Sequence, residues 1–167
     1  MKTVIARAIL GFSIMAVLAG CDYDVKLVDT PNVPVNKALA GSWELATENP
    51  TDIDRMDITL LSENEYKIVW HMDAEKSLHA RACICNSADL KLIQITWLGA
   101  EPDFTMGDMH VYQYAAYDLD GDKLTIRMLN ADVVNKKAKT PAELLAAIKA
   151  NKENPKLFRE ELSYKRK

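Results

Sequence analysis

The chain has 167 residues, of which 49% are hydrophobic and 27% charged, with a formal net charge of -3. That length suits one ordinary domain with a single core, plus a short appendage. A mildly acidic chain lacks the basic stripe that nucleic-acid binding needs to displace counterions, so that class is set aside.

The first residues divide as an export signal does. Lys2 and Arg7 make a positive start with no acid among them, and Ala8 to Leu18 are almost wholly apolar. A core of about eleven residues is close to a signal h-region and well short of the roughly 20 that span a bilayer. Leu18-Ala19-Gly20-Cys21 then resembles the lipobox of bacterial lipoproteins. The resemblance implies cleavage between Gly20 and Cys21, a diacylglycerol on the Cys21 thiol and acylation of the new amino terminus. Palmitate-class chains held two or more together anchor a protein durably. The implied address is the bacterial cell envelope, lipid-anchored and facing the periplasm. Asp22, directly after the anchor, favours the inner over the outer membrane in such proteins. Loss of residues 1–20 removes Lys2 and Arg7 and leaves 19 basic against 24 acidic residues, about -5.

Residues 21–37 read as a tether: Pro31 and Pro34 flank Asn32-Val33, and no helical or strand period runs through them. Residues 38–167 form the domain. There the dominant period is two, which predicts half-buried strands. They are expected at Gly41–Ala46, Met56–Leu61, Glu65–Met72, Leu78–Ile84, Lys91–Leu98, His110–Tyr117 and Lys123–Leu129, with a last one at Glu161–Lys165. Asp120-Gly121 is a favoured tight-turn pair between two of them. Asp118, Asp120 and Asp122 resemble the opening of a calcium loop, but Gly121 stands fourth instead of sixth, and the hairpin accounts for them. Thr140-Pro141-Ala142-Glu143 has the pattern of a capped helix start, with Leu144, Leu145 and Ile148 as its apolar stripe. The expected fold is mainly β, an antiparallel barrel or curved sheet of seven or eight strands with one helix before the last strand. Gly41-Ser42-Trp43 resembles the Gly-x-Trp opening of lipocalins and related calycin barrels, which implies that Trp43 closes the barrel floor.

Candidate chemistry is sparse. His71, His79 and His110 sit in no nucleophile or zinc motif, Asp52 and Asp54 lie in a polar loop, and there is no phosphate loop. No catalytic residue, cofactor or metal is assigned. His79, Arg81, Cys83 and Cys85 fall on one strand face. Cys83 and Cys85 are open to three readings: small core thiols, a disulfide that needs a bend at Ile84, or soft-metal ligands with His79. Tyr66, Trp70, Trp97, Tyr112 and Tyr114 either line an interior that binds a lipid or small hydrophobic ligand, or fill it. Lys165-Arg166-Lys167 offers charge to anionic lipid headgroups. The expected function is a non-enzymatic protein-interaction or inhibitor module at the periplasmic membrane surface, docking on an envelope protein. The alternative is a barrel that carries a small hydrophobic ligand.

Overall fold

The structure is a computed structural model, and it describes residues 23–47, 55–71, 75–87, 89–101, 111–134, 137–159 and 161–167. Gly20, Cys21, Asp22, Asp52, Asp54 and His110 lie outside the described residues.

Eight antiparallel strands close into a barrel in sequence order: β1 (Gly41–Leu45), β2 (Arg55–Leu60), β3 (Tyr66–His71), β4 (Ser77–Ser87), β5 (Leu90–Glu101), β6 (Tyr112–Asp120), β7 (Lys123–Met128) and β8 (Leu162–Arg166). The single helix, α1 (Pro141–Ala150), precedes the last strand. β1 pairs with both β2 and β8, which seals the cylinder. Closure leaves no long exposed edge, which is how an all-antiparallel domain of this size avoids edge-to-edge association.

The period of two decides which side chains enter. In β3, Tyr66, Ile68 and Trp70 are buried while Lys67, Val69 and His71 are half-buried outside. Trp43, Met56, Ile58, Ala82, Ile84, Ile95, Trp97, Leu124 and Tyr164 join them in the interior core. At the β4–β5 pairing Ala80 faces Trp97 and His79 faces Gly99, so Leu98 bulges out of register. Gly99 accommodates this with φ +129, a conformation side chains disfavour. The turn between β6 and β7 centres on Gly121 at φ +56, so the Asp-rich stretch is indeed a hairpin. Its Asp118 pairs with Arg127 and its Asp122 with Arg166.

A second apolar cluster lies outside the barrel wall. Leu144 and Ile148 of α1 pack with Leu129, Val134 and Leu157 over Cys85, Leu92, Tyr112, Tyr114 and Ala116. α1 starts as its sequence dictates: Thr140 Oγ1 accepts from the Glu143 amide at 3.2 Å, and Glu143 accepts from the Lys139 amide at 2.7 Å. The expected tether is, from Tyr23 onward, part of the folded body. Tyr23, Val25 and Val35 are buried, and the segment ends in a 3-10 turn at Lys37–Leu39 that plugs one barrel end. Its prolines keep it extended without a sheet of its own, which is why no period marks it.

The floor is locked by the last strand. The Arg166 guanidinium sits 4.3 Å above the Trp43 ring and donates to the Ala40 and Ala38 carbonyls at 2.9 and 2.6 Å. Trp43 Nε1 donates to the Leu39 carbonyl at 2.9 Å. Gly41 has φ +149, and a Cβ there would collide with Arg166 Nη1. The Lys165-Arg166-Lys167 stretch is therefore strand and lock, not a free cationic tail: Lys167 also pairs with Glu44 at 2.8 Å. Arg166→Ala should lower stability to urea by about 2 kcal/mol, from the lost stacking and charge-assisted hydrogen bonds. Arg166→Lys should restore half of that at most, since an ammonium cannot cover the ring and both carbonyls. Gly41→Ala should cost about 1–3 kcal/mol from its backbone alone and should be less than additive with Arg166→Ala.

Candidate functional site

The aromatic set divides between two sides of the wall. Tyr66, Trp70 and Trp97 are interior, with the Trp70 and Trp97 ring centroids 5.4 Å apart. Tyr112 and Tyr114 face outward, where the outer cluster covers them. The structure thus brings three of the five together and separates the other two. Inside, the void bounded by Leu39, Met56, Ile68, Trp70, Ile95 and Tyr117 measures about 30 Å³. That is one water's share of volume, and small-molecule sites usually need about 300 Å³ or more. The interior aromatics fill the barrel.

A concavity larger than the interior void lies outside. Residues 23–35 run as a strap along the outer face of β4, β5 and β6. Between the strap and the wall opens a cleft of about 370 Å³, lined among others by Lys26, Asp29, Glu65, Arg81, Cys83 and Gln94. Two wall residues fasten the strap. Gln94, buried on β5, accepts from the Leu27 and Val28 amides at 2.8 and 2.9 Å and donates to the Val28 carbonyl at 2.9 Å. The Tyr114 hydroxyl donates to the Val25 carbonyl and lies 3.1 Å from the Leu27 amide. Burial holds that phenol well above its ordinary range, so it stays a neutral donor. At the head of the strap, Tyr23 exchanges backbone hydrogen bonds with Tyr112 at 2.8 and 2.9 Å. Its ring meets Tyr114 edge-on, with centroids 5.5 Å apart, and its hydroxyl donates to Val134. At the foot, Asn64 donates to the Pro31 carbonyl and Val35 to the Glu63 carbonyl.

The cleft carries both signs of charge. Glu65 holds Arg81 by two contacts of 2.6 and 2.7 Å, and Lys26 lies 6.0 Å from the Tyr112 ring. Cys83 and Cys85 do share the outward face of β4, but as free buried thiols rather than a disulfide. They pair in unbroken register with Gln94 and Leu92. The strand therefore stays straight there, with the two residues about 6.5–7 Å apart, at the upper limit for bridging. Burial pushes both thiols up to about 11, which disfavours the reactive thiolate. His79 Nε2 stands 3.0 Å from Ser77 Oγ, and among the described residues no three metal-ligating side chains converge.

A polar network lies on the wall across the barrel. Ser42 donates to one Asp57 oxygen, and His71 Nε2 is 2.7 Å from the other. Arg55 reaches the same His71 nitrogen at 2.9 Å and the Asp57 carboxylate at 3.3 Å. Only one of the two His71 contacts is a hydrogen bond at a time: a protonated Nε2 donates to Asp57, an unprotonated one accepts from Arg55. Ser42 spends its proton on a carboxylate, so no imidazole stands on it to activate it as a nucleophile. Burial pushes the Asp57 carboxyl up, but hydrogen bonds from Ser42 and His71 and the charges of Arg55 and His71 outweigh it and hold the group below its ordinary range.

Reading the sequence strand by strand missed Gln94 and Arg166. The signal for Gln94 is an amide within an otherwise apolar run, Leu92-Ile93-Gln94-Ile95, where burial demands a partner. Gln94→Leu should cost about 1–3 kcal/mol from unpaired strap groups, speed hydrogen exchange at Leu27 and Val28, and open Cys83 to alkylation. In the wild type both thiols should react at pH 8 about 100-fold or more slower than in urea. Because the folded Asp57 carboxyl titrates below its unfolded value, its stabilisation is full above about pH 4 and is lost as pH falls below that. Urea midpoints taken from pH 5 down to pH 2 should fall less steeply for Asp57→Asn than for the wild type. Comparison with known proteins gives no match to a family model, a curated protein or a solved structure.

Proposed function

We propose that this chain is an envelope lipoprotein, anchored by lipid on Cys21, whose calycin-like barrel works as a non-enzymatic interaction or inhibitor module at the periplasmic membrane surface. The filled interior carries this reading: with about 30 Å³ inside, recognition falls to the outer surface. The first-strand tryptophan closing the floor supports the calycin resemblance. Among the described residues no helix is long and apolar enough to cross a membrane; in this reading the lipid on Cys21 supplies the membrane contact. Two surfaces offer themselves to a partner protein: the mixed-charge cleft, and the β2–β3 hairpin tip, where Leu60 and Leu61 are 45% and 48% exposed. Tethering confines such a partner search to the membrane surface and raises its effective concentration.

The test is mass spectrometry in two forms. The full chain, expressed in a lipoprotein-processing bacterium, should lose residues 1–20 and gain a diacylglyceryl mass that Cys21→Ser abolishes. An unmodified chain would sink the anchor. The domain with Cys21 replaced, exported to the periplasm, should give a bare mass in native spectra. A stoichiometric lipid or metabolite in the barrel would establish the carrier function instead.

A further inference from the structure

We infer that the lipid surface is in contact range of the folded barrel itself, with the side of the molecule that carries the Tyr23–Tyr112 pairing turned toward it and β2 turned away. The inference rests on the lipid anchor proposed at Cys21 and goes beyond it, because an anchor by itself says nothing of distance or orientation.

Chain length sets the distance. Tyr23 is 1% exposed and fixed from both sides: by paired backbone hydrogen bonds to Tyr112 and by its hydroxyl on the Val134 carbonyl. Only Asp22 stands between it and Cys21. Two residue steps span at most about 7 Å. A free tether of residues 21–37 would reach several times farther, at roughly 3.3 Å per residue when extended. The strap abolishes that reach, since Gln94, Tyr114 and Asn64 fasten it along its whole course.

Closure then sets the orientation. In an eight-stranded barrel with strands in sequence order, β2 lies four strands from β6 in either direction. β6 carries the Tyr23 pairing, while β2 carries Asp57 and Arg55 of the polar network. With the β6 side at the bilayer, that network faces the periplasm. The strap-lined cleft, whose Lys26 is five residues from Cys21, opens beside the lipid.

Neutron reflectometry of the lipidated full-length protein, on supported bilayers of phosphatidylethanolamine and phosphatidylglycerol, reads the gap between headgroups and protein. The wild type should show protein density beginning within about 10 Å of the headgroups. A ten-residue Gly-Ser insertion between Asp22 and Tyr23 leaves every strap contact in place and should widen the gap by at least about 10 Å. A wild-type gap of about 30 Å on protein carrying the diacylglyceryl mass would overturn this inference and leave the anchor standing. So would an insertion that changes nothing. Protein lacking that mass would remove the anchor and this inference together.

Discussion

The closure of the barrel hangs from the guanidinium of Arg166. It joins the last strand to the first through the Trp43 ring, and the first strand to the floor through the Ala38 and Ala40 carbonyls. A planar, always-charged group does three things there that no other side chain does at once: it stacks, it donates in two directions and it keeps its charge under partial burial. Gly41 follows from it, because the space a Cβ needs is occupied by Arg166. The Gly-x-Trp opening is thus the imprint of a residue 125 positions later in the chain. With the floor shut and large aromatics stacked above it, the interior has no room to spare.

The outer wall is built on a different logic. Strands of a small barrel normally alternate apolar and polar, but β5 and β6 are covered on both sides: by the interior core, and by α1 with the strap. Burying both faces of a strand forbids polar side chains outside unless each finds a partner. Leu92 and Ala116 satisfy this by being apolar or small, whereas Gln94 and Tyr114 satisfy it by binding strap backbone. Those two side chains convert a proline-bearing segment with no secondary structure into a fixed part of the wall. The backbone groups of Leu27 and Val28 need partners as much as Gln94 does, so the latch is reciprocal.

The sequence made the fold legible because most strands keep one face wet. The alternation in β3 and the turn at Gly121 locate strands to within a few residues, and Thr140-Pro141-Ala142-Glu143 marks the start of α1 without ambiguity. What stayed hidden is non-local. Tyr112 and Tyr114 group naturally with Tyr66, Trp70 and Trp97 as aromatic residues on neighbouring strands. Only the register of β5 on β6 puts them outside, and two-sided burial erases the clue that polarity would have given. Arg166 sits between two lysines, where a solvated tail is the plainer reading. The strap carries no period because its bonds go to side chains, not to a ladder. Cys83 and Cys85 follow the alternation faithfully; their lack of a bridge is a matter of an unbent strand, which composition does not reveal.

Strap, wall and thiols are geometrically one unit. The strap covers Cys83 through Gln94, whose Nε2 lies 3.9 Å from the sulfur, and the same side chain holds the Leu27 and Val28 backbone. The strap's hydrogen bonds are spread from Tyr23 to Val35 over two strands and a hairpin, so no single rupture frees it. Local opening must break several buried contacts together and leave polar groups unpaired, which places the strap nearer the global stability than a frayed terminus would be. A segment that a linker could have replaced is therefore held at an energetic expense in conformational entropy. That expense is offset by the apolar surface that Tyr23, Val25 and Val35 bury and by the hydrogen bonds that the strap exchanges with the wall.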